Sequence, residues 1–224
     1  MADISMKKEN TNELKEVARK ENREMEETVP KTIICVSGLK GAGKTTIVKR
    51  LSEEYEIPYI ELGELVKARM SEERVPISKI YEYSLELRKE YGKDVVAKMA
   101  IDKMNEYYGN IIIIDGLRTE PEFNAFNSVG QVYIIVVHAS PTVRYQRILA
   151  RGRPADPYTL EKLIDMDKKS LAMGIEHIFT LADYRINNDG ILDEALAQAR
   201  AALNNISGRE NERSSSVRGR KVHS

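Results

Sequence analysis

The chain has 224 residues, and 35 Lys and Arg balance 35 Asp and Glu to a formal net charge of zero. Apolar residues make up 42%, enough to build a core in a chain the size of one α/β domain. The charge balance argues against a general nucleic-acid binder, and no apolar run approaches the ~20 residues of a membrane-spanning helix.

Residues 1–29 interleave Lys and Glu with few apolar positions and no hydrophobic stretch, so a solvated helix or flexible arm is expected there and a secretory signal is not. The lone cysteine, Cys35, can form neither an internal disulfide nor, by itself, a zinc site; a reducing, cytoplasmic setting is expected. Pro30 opens the compact domain, 30–206. Thr32 to Ser37 is short, apolar and β-branched, the pattern of a buried strand, and a Gly-rich turn follows it. Thr45 to Glu54 reads as a helix with Ile47, Val48 and Leu51 on one side, Pro58 to Glu61 as a short strand, and Glu64 to Met70 as a helix. Ile80, Tyr83, Leu87 and Tyr91 recur at helical spacing up to Gly92. Asp94 is placed to cap the next helix, whose face is Val96, Ala100, Met104 and Tyr107 before Gly109.

Ile111 to Asp115 holds four isoleucines in a row, the mark of a strand covered on both faces, and Gln131 to His138 is another strand. Ser140 caps a helix with Pro141 at its first position and Gly152 past its end. A helix over Thr159 to Met173, a strand at Tyr184 to Asn187 and a helix from Leu192 to Leu203 complete the domain. Residues 207–224 are Ser, Arg and Gly with almost nothing apolar, and a disordered basic tail is expected. Alternating strands and helices predict an α/β fold: a five-stranded parallel sheet with helices on both faces.

Gly38-Leu39-Lys40-Gly41-Ala42-Gly43-Lys44-Thr45 fits G-x-x-x-x-G-K-[ST] and lies between a strand and a helix, where a P-loop must lie. The glycines let successive amides turn toward phosphate oxygens, and the helix adds its positive end; Thr46 opens its first turn. Lys44 supplies a full charge for the β- and γ-phosphates, and Thr45 offers a hydroxyl to Mg²⁺. Asp115, at a strand end, is the candidate for the second magnesium-side residue. No N-K-x-D stretch is present to read guanine. Arg144, Arg147 and Arg151 share one helix face, which suits a lid that lowers arginines onto phosphates, and Arg118 sits just beyond Asp115. Cys35 reads as a small buried hydrophobe and His138 as a structural residue. Three scattered histidines suggest no metal site beyond the Mg²⁺ that accompanies ATP.

These stretches carry a resemblance. Gly38 to Thr45, Gly63-Glu64-Leu65-Val66-Lys67, Asp115-Gly-x-Arg118 and Arg147-x-x-x-Arg151 resemble the nucleotide loop, acceptor helix, acceptor-phosphate arginine and lid arginines of adenylate kinases. Leu181 to Glu194, with its Ala-Asp-Tyr strand and Asn-containing loop, resembles dephospho-CoA kinases. The chain is similar over roughly 31 to 200 to an archaeal family of P-loop kinases related to both, in which D-G-[IL]-R, H-A-S-P, R-G-R-x-x-D-P and L-A-D-Y recur; all four occur here.

The resemblance implies that Arg147 stacks on or flanks the donor adenine, Arg151 meets its phosphates, Arg118 holds the acceptor's phosphate, and Asn187 and Asn188 lie against the adenine edge. It implies acceptor contacts from Glu64 and Lys67, which stand where Asp and Arg are usual. The Met166-Asp167-Lys168-Lys169 segment lacks the family's Arg-Asp pair. An acceptor insertion at 63–94 and a lid at 151–173 are expected. The function expected is γ-phosphoryl transfer from Mg-ATP to a small nucleotide-like acceptor, a nucleoside monophosphate or a dephospho-CoA-like molecule. The rival class is an ATP-binding regulator that transfers nothing.

Overall fold

A computed structural model describes residues 31–152, 156 and 159–220. The expected arm at 1–29, and the 153–155 and 157–158 stretches of the expected lid, lie outside the described residues. Five strands form one sheet: β1 (Lys31–Ser37), β2 (Tyr59–Glu61), β3 (Ile111–Asp115), β4 (Gly130–His138) and β5 (Tyr184–Asn187). All four pairings are parallel, and the order across the sheet is β2-β3-β1-β4-β5.

The central strands are buried along almost their whole length, their side chains packing alternately on the two faces of the sheet. Ile33 and Cys35 of β1, Ile112 and Ile114 of β3, and Val132, Ile134 and Val136 of β4 pack on one side. There they meet α2 (Leu62–Glu72), α3 (Ile80–Tyr91), α4 (Val95–Met104) and α5 (Glu120–Asn127). Ile34 and Val36, Ile113, and Tyr133, Ile135 and Val137 face the other side. That face is covered by α1 (Lys44–Tyr55) and by α9 (Leu192–Arg220), whose Ala195, Ala199, Ala202, Leu203 and Ile206 are buried. The remaining helices are α6 (Pro141–Arg151), α7 (Leu160–Ala172) and the short α8 (Ile175–Thr180).

Three helices differ from expectation. The stretches 120–127 and 175–180, unassigned from sequence, are the helices α5 and α8, and α9 runs unbroken to Arg220 where an irregular tail is expected from 207. Once α9 is anchored by its buried stripe, extending it adds one backbone hydrogen bond per residue fixed, and no proline stands in the way. Among the described residues no helix is long and apolar enough to cross a membrane.

Candidate nucleotide site

The loop from Gly38 to Lys44 joins β1 to α1 at the C-terminal edge of the sheet. Two of its glycines are required by close neighbours. At Gly38, with φ +144, a Cβ would stand 2.2 Å from the Val137 carbonyl oxygen of β4. Gly43 begins α1 in the left-handed region at φ +93, and a Cβ there would stand 2.2 Å from Asn188 Nδ2. Asn188, 3% exposed, donates that nitrogen to the Ala42 carbonyl at 2.7 Å and so pins the loop from the strand on the far side. Ala42 is fully buried, while Thr46 is exposed on the first turn of α1.

Lys44 extends back over the loop and donates to the carbonyls of Gly38 at 2.8 Å and Leu39 at 3.2 Å. Burial pushes its pKa down to about 8, with Asp115 opposing and Arg118 reinforcing that shift. The register of β1 against β3 sets Asp115 beside Val36, immediately below the loop. Thr45 Oγ1 donates to Asp115 Oδ2 at 2.6 Å. The other carboxylate oxygen, Oδ1, is buried without a partner, and burial raises the Asp115 pKa against the pull of Lys44 and Thr45.

The arginines expected to act together part company. Arg144 is 2% exposed and wholly engaged in structure: it donates to the Ala139 and Lys40 carbonyls at 3.1 Å each and makes a two-pronged pair with Asp167 of α7, at 2.9 and 2.5 Å. Expected on the phosphates with its neighbours, it is instead the bolt between α6, the loop and α7. Arg147 reaches the loop: its Nη1 lies 4.0 Å from where a Cβ on Gly43 would stand, buried and without a partner. Arg151 donates to Asp156 at 2.6 and 3.0 Å, and Lys40 pairs with the same carboxylate at 2.9 Å. The two cations hold Asp156 down to a pKa of about 2, although its burial pushes the other way.

Arg118 stands exposed at the end of β3, near enough to Lys44, Lys40, Asp115 and Glu61 to influence or feel their charges. Its backbone is fixed by Glu122, whose Oε2 accepts from the amides of Arg118 at 3.0 Å and Thr119 at 3.2 Å while Oε1 accepts from Arg88 at 2.6 Å. Glu64 and Lys67 pair with each other at 2.5 Å on α2. Asn187 is exposed and accepts from the Asp189 amide at 3.1 Å, apart from the loop that Asn188 touches.

The structure therefore brings Gly38 to Thr45, Asp115, Arg118, Arg147, Arg151 and Asn188 around one loop. Sequence reasoning missed the anchors. Asp156 belongs to a recognised R-G-R-x-x-D-P motif but had no assigned role, and Thr119-x-x-Glu122 is a readable capping signature. Asp183, in the L-A-D-Y motif, bonds both ways to the Ile134 backbone and so registers the start of β5 against β4. Among the described residues no three His, Cys, Asp or Glu side chains cluster as a metal site. A divalent ion here would rest on Thr45, Asp115 and oxygens brought by a ligand, a donor set that suits magnesium.

An AAA-domain profile matches residues 34–162. A UPF0200 protein of Sulfurisphaera tokodaii is 34% identical over 174 residues, covering 78% of this chain and 97% of that one. A UPF0200 protein of Thermococcus onnurineus is 35% identical over 164 residues, covering 70% and 88%. Among solved structures, a shikimate kinase from Acinetobacter baumannii superposes with a TM-score of 0.54 at 18% identity, over 83% of this chain and 97% of that one. One from Aquifex aeolicus gives 0.50 at 18%, over 78% and 98%. At such identity the likeness is one of fold, and the fold is that of the P-loop kinases.

Proposed function

The chain belongs to the UPF0200 family, and we propose that it is an ATP-dependent phosphotransferase acting on a small nucleotide-like acceptor. The single observation that carries this reading is the 2.6 Å contact between Thr45 and Asp115, with Asp115 Oδ1 buried and unpartnered beside it. A buried carboxylate oxygen without a donor is costly. Here it lies next to the P-loop hydroxyl, where a phosphate-bound cation would supply what is missing. Thr45 and Asp115 would hold Mg²⁺, which when bound neutralises charge on the β- and γ-phosphate oxygens.

The chain's own groups do the rest. Gly38 to Thr45 surround the phosphates. Lys44 exchanges two loop carbonyls for phosphate oxygens, a small movement for a long side chain. Arg147, placed against Gly43 with a nitrogen to spare, takes the donor nucleotide's flank, and Arg151 and Lys40 converge on the same end of the loop. Such preplaced cations lower the barrier because phosphoryl transfer leaves the protein little but charge to stabilise. Arg118, presented by the Glu122-braced turn, faces the acceptor side with Glu64 and Lys67. Asn188 and Asn187 border the donor base. A nucleoside monophosphate or a dephospho-CoA-like molecule fits as acceptor.

The test is ADP release from Mg-ATP over a panel of both acceptor types. Wild-type protein is expected to turn over at least one of them, and Lys44→Ala to fold normally yet lose at least a hundredfold in rate. Unchanged turnover in that variant would refute the assignment. Tight ATP binding without transfer to any acceptor would favour a regulator instead.

A further inference from the structure

A cavity of about 480 Å³ runs along β2, the open edge of the sheet. Its upper end is Thr45 and Glu61, at the catalytic side. Its lower end is Lys103 and Tyr107, beside the start of β1, where Lys31 Nζ donates to the Tyr107 carbonyl at 3.1 Å. The volume falls within the range of small-molecule sites, and its length follows β2, three residues or about 10 Å. It therefore reaches well past the reacting groups.

Its charges are unevenly placed. Glu61 acts on Lys44 and Arg118 at the catalytic end, and Glu64 is paired with Lys67. Lys49, one turn beyond Thr45 on α1, and Lys103, in the last turn of α4, line the same cavity and make no ion pair among the described residues. With Lys67 they set three lysines against Glu61 and Glu64 in the lining, a net positive wall, although Lys49 also acts on the charge of Asp115. Tyr59 and Tyr107 also line the cavity.

We propose that this cavity receives the part of the acceptor remote from the reacting group, and that this part carries its own phosphate or carboxylate, held between Lys49 and Lys103. The acceptor is then a small molecule with at least two anionic groups, one toward Arg118 and one further along β2. This rests on the phosphotransferase reading and narrows it: singly charged or neutral acceptors leave both lysines unanswered.

Inorganic pyrophosphate is the probe, titrated calorimetrically into protein whose P-loop is already saturated with Mg²⁺ and a non-hydrolysable ATP analogue. Binding of the analogue to wild-type protein tests the nucleotide reading first and separately. The expected result is pyrophosphate binding that weakens at least tenfold in a folded Lys49→Met/Lys103→Met variant and persists in Lys98→Met, whose lysine pairs with Asp94 outside the cavity. In parallel, pyrophosphate should slow acetylation of Lys49 and Lys103, read by mass spectrometry, more than that of Lys98. Should the analogue bind while pyrophosphate does not, or while the double variant binds it as well as wild type, the second anion site is refuted and the kinase reading stands.

Discussion

Lys44 carries its charge at a disadvantage. Its amine is held by carbonyls and pushed down to about 8 by burial, against an ordinary lysine value near 10.4. The unfolded chain therefore binds a proton that the empty folded protein releases between about pH 8 and pH 10, so stability rises with pH across that window. A polyphosphate beside the ammonium reverses the preference. Nucleotide binding near pH 8.5 should take up a fraction of a proton, read from calorimetry in buffers of different ionisation enthalpy, and Lys44→Met should abolish that uptake. At this scale the loop and Asp115 were legible because their chemistry is local: eight contiguous residues, and one aspartate ending an isoleucine run. The fate of the arginines was not. Arg144, Arg147 and Arg151 look alike by spacing, and what separates them is Asp167 claiming the first and Asp156 the last. Those carboxylates are brought in by the path of the chain after Gly152.

Strands β3 and β5 and helices α3 and α6 coincide with the sequence pattern, since each shows its period and its stop: Gly92 after α3, Pro141 and Gly152 around α6. The helix α5 was hidden because its apolar positions, Phe123 and Phe126, are too few to display a period. What makes it a helix is its beginning. Thr119 accepts from the Glu122 amide, and the Glu122 side chain accepts in return from the Thr119 amide, a complete capping box. Thr119→Ala should cost about 1 kcal/mol, a fall in melting temperature of roughly 2–4 °C for a domain this size. Glu122 does more, because the same buried carboxylate faces Arg88 of α3 and steadies the Arg118 amide. Removing one partner of a buried pair costs about 3–5 kcal/mol. Glu122→Ala should therefore lower stability several times further than Thr119→Ala in parallel denaturant melts.

Across the whole molecule the strand order places β1 at the centre with β3 parallel beside it, so the loop after β1 and the aspartate ending β3 share one edge whatever the surface does. Sequence rhythm announced a parallel sheet covered on both faces, but neither the order of its strands nor the length of α9 is written in local periodicity. The last buried side chain described on α9 is Ile206. A chain ending at Ser207 should melt within about 2 °C of the full protein in one cooperative transition; a loss above about 5 °C would show that the distal helix contributes to the core. Asp156 remains, seated between Lys40 and Arg151. An anion arriving there does not meet two bare cations; it evicts a resident one. Occupancy there would then be a substitution in which ion pairs are traded rather than added, while Arg144, through the Lys40 carbonyl, keeps the helix behind Arg151 joined to the loop.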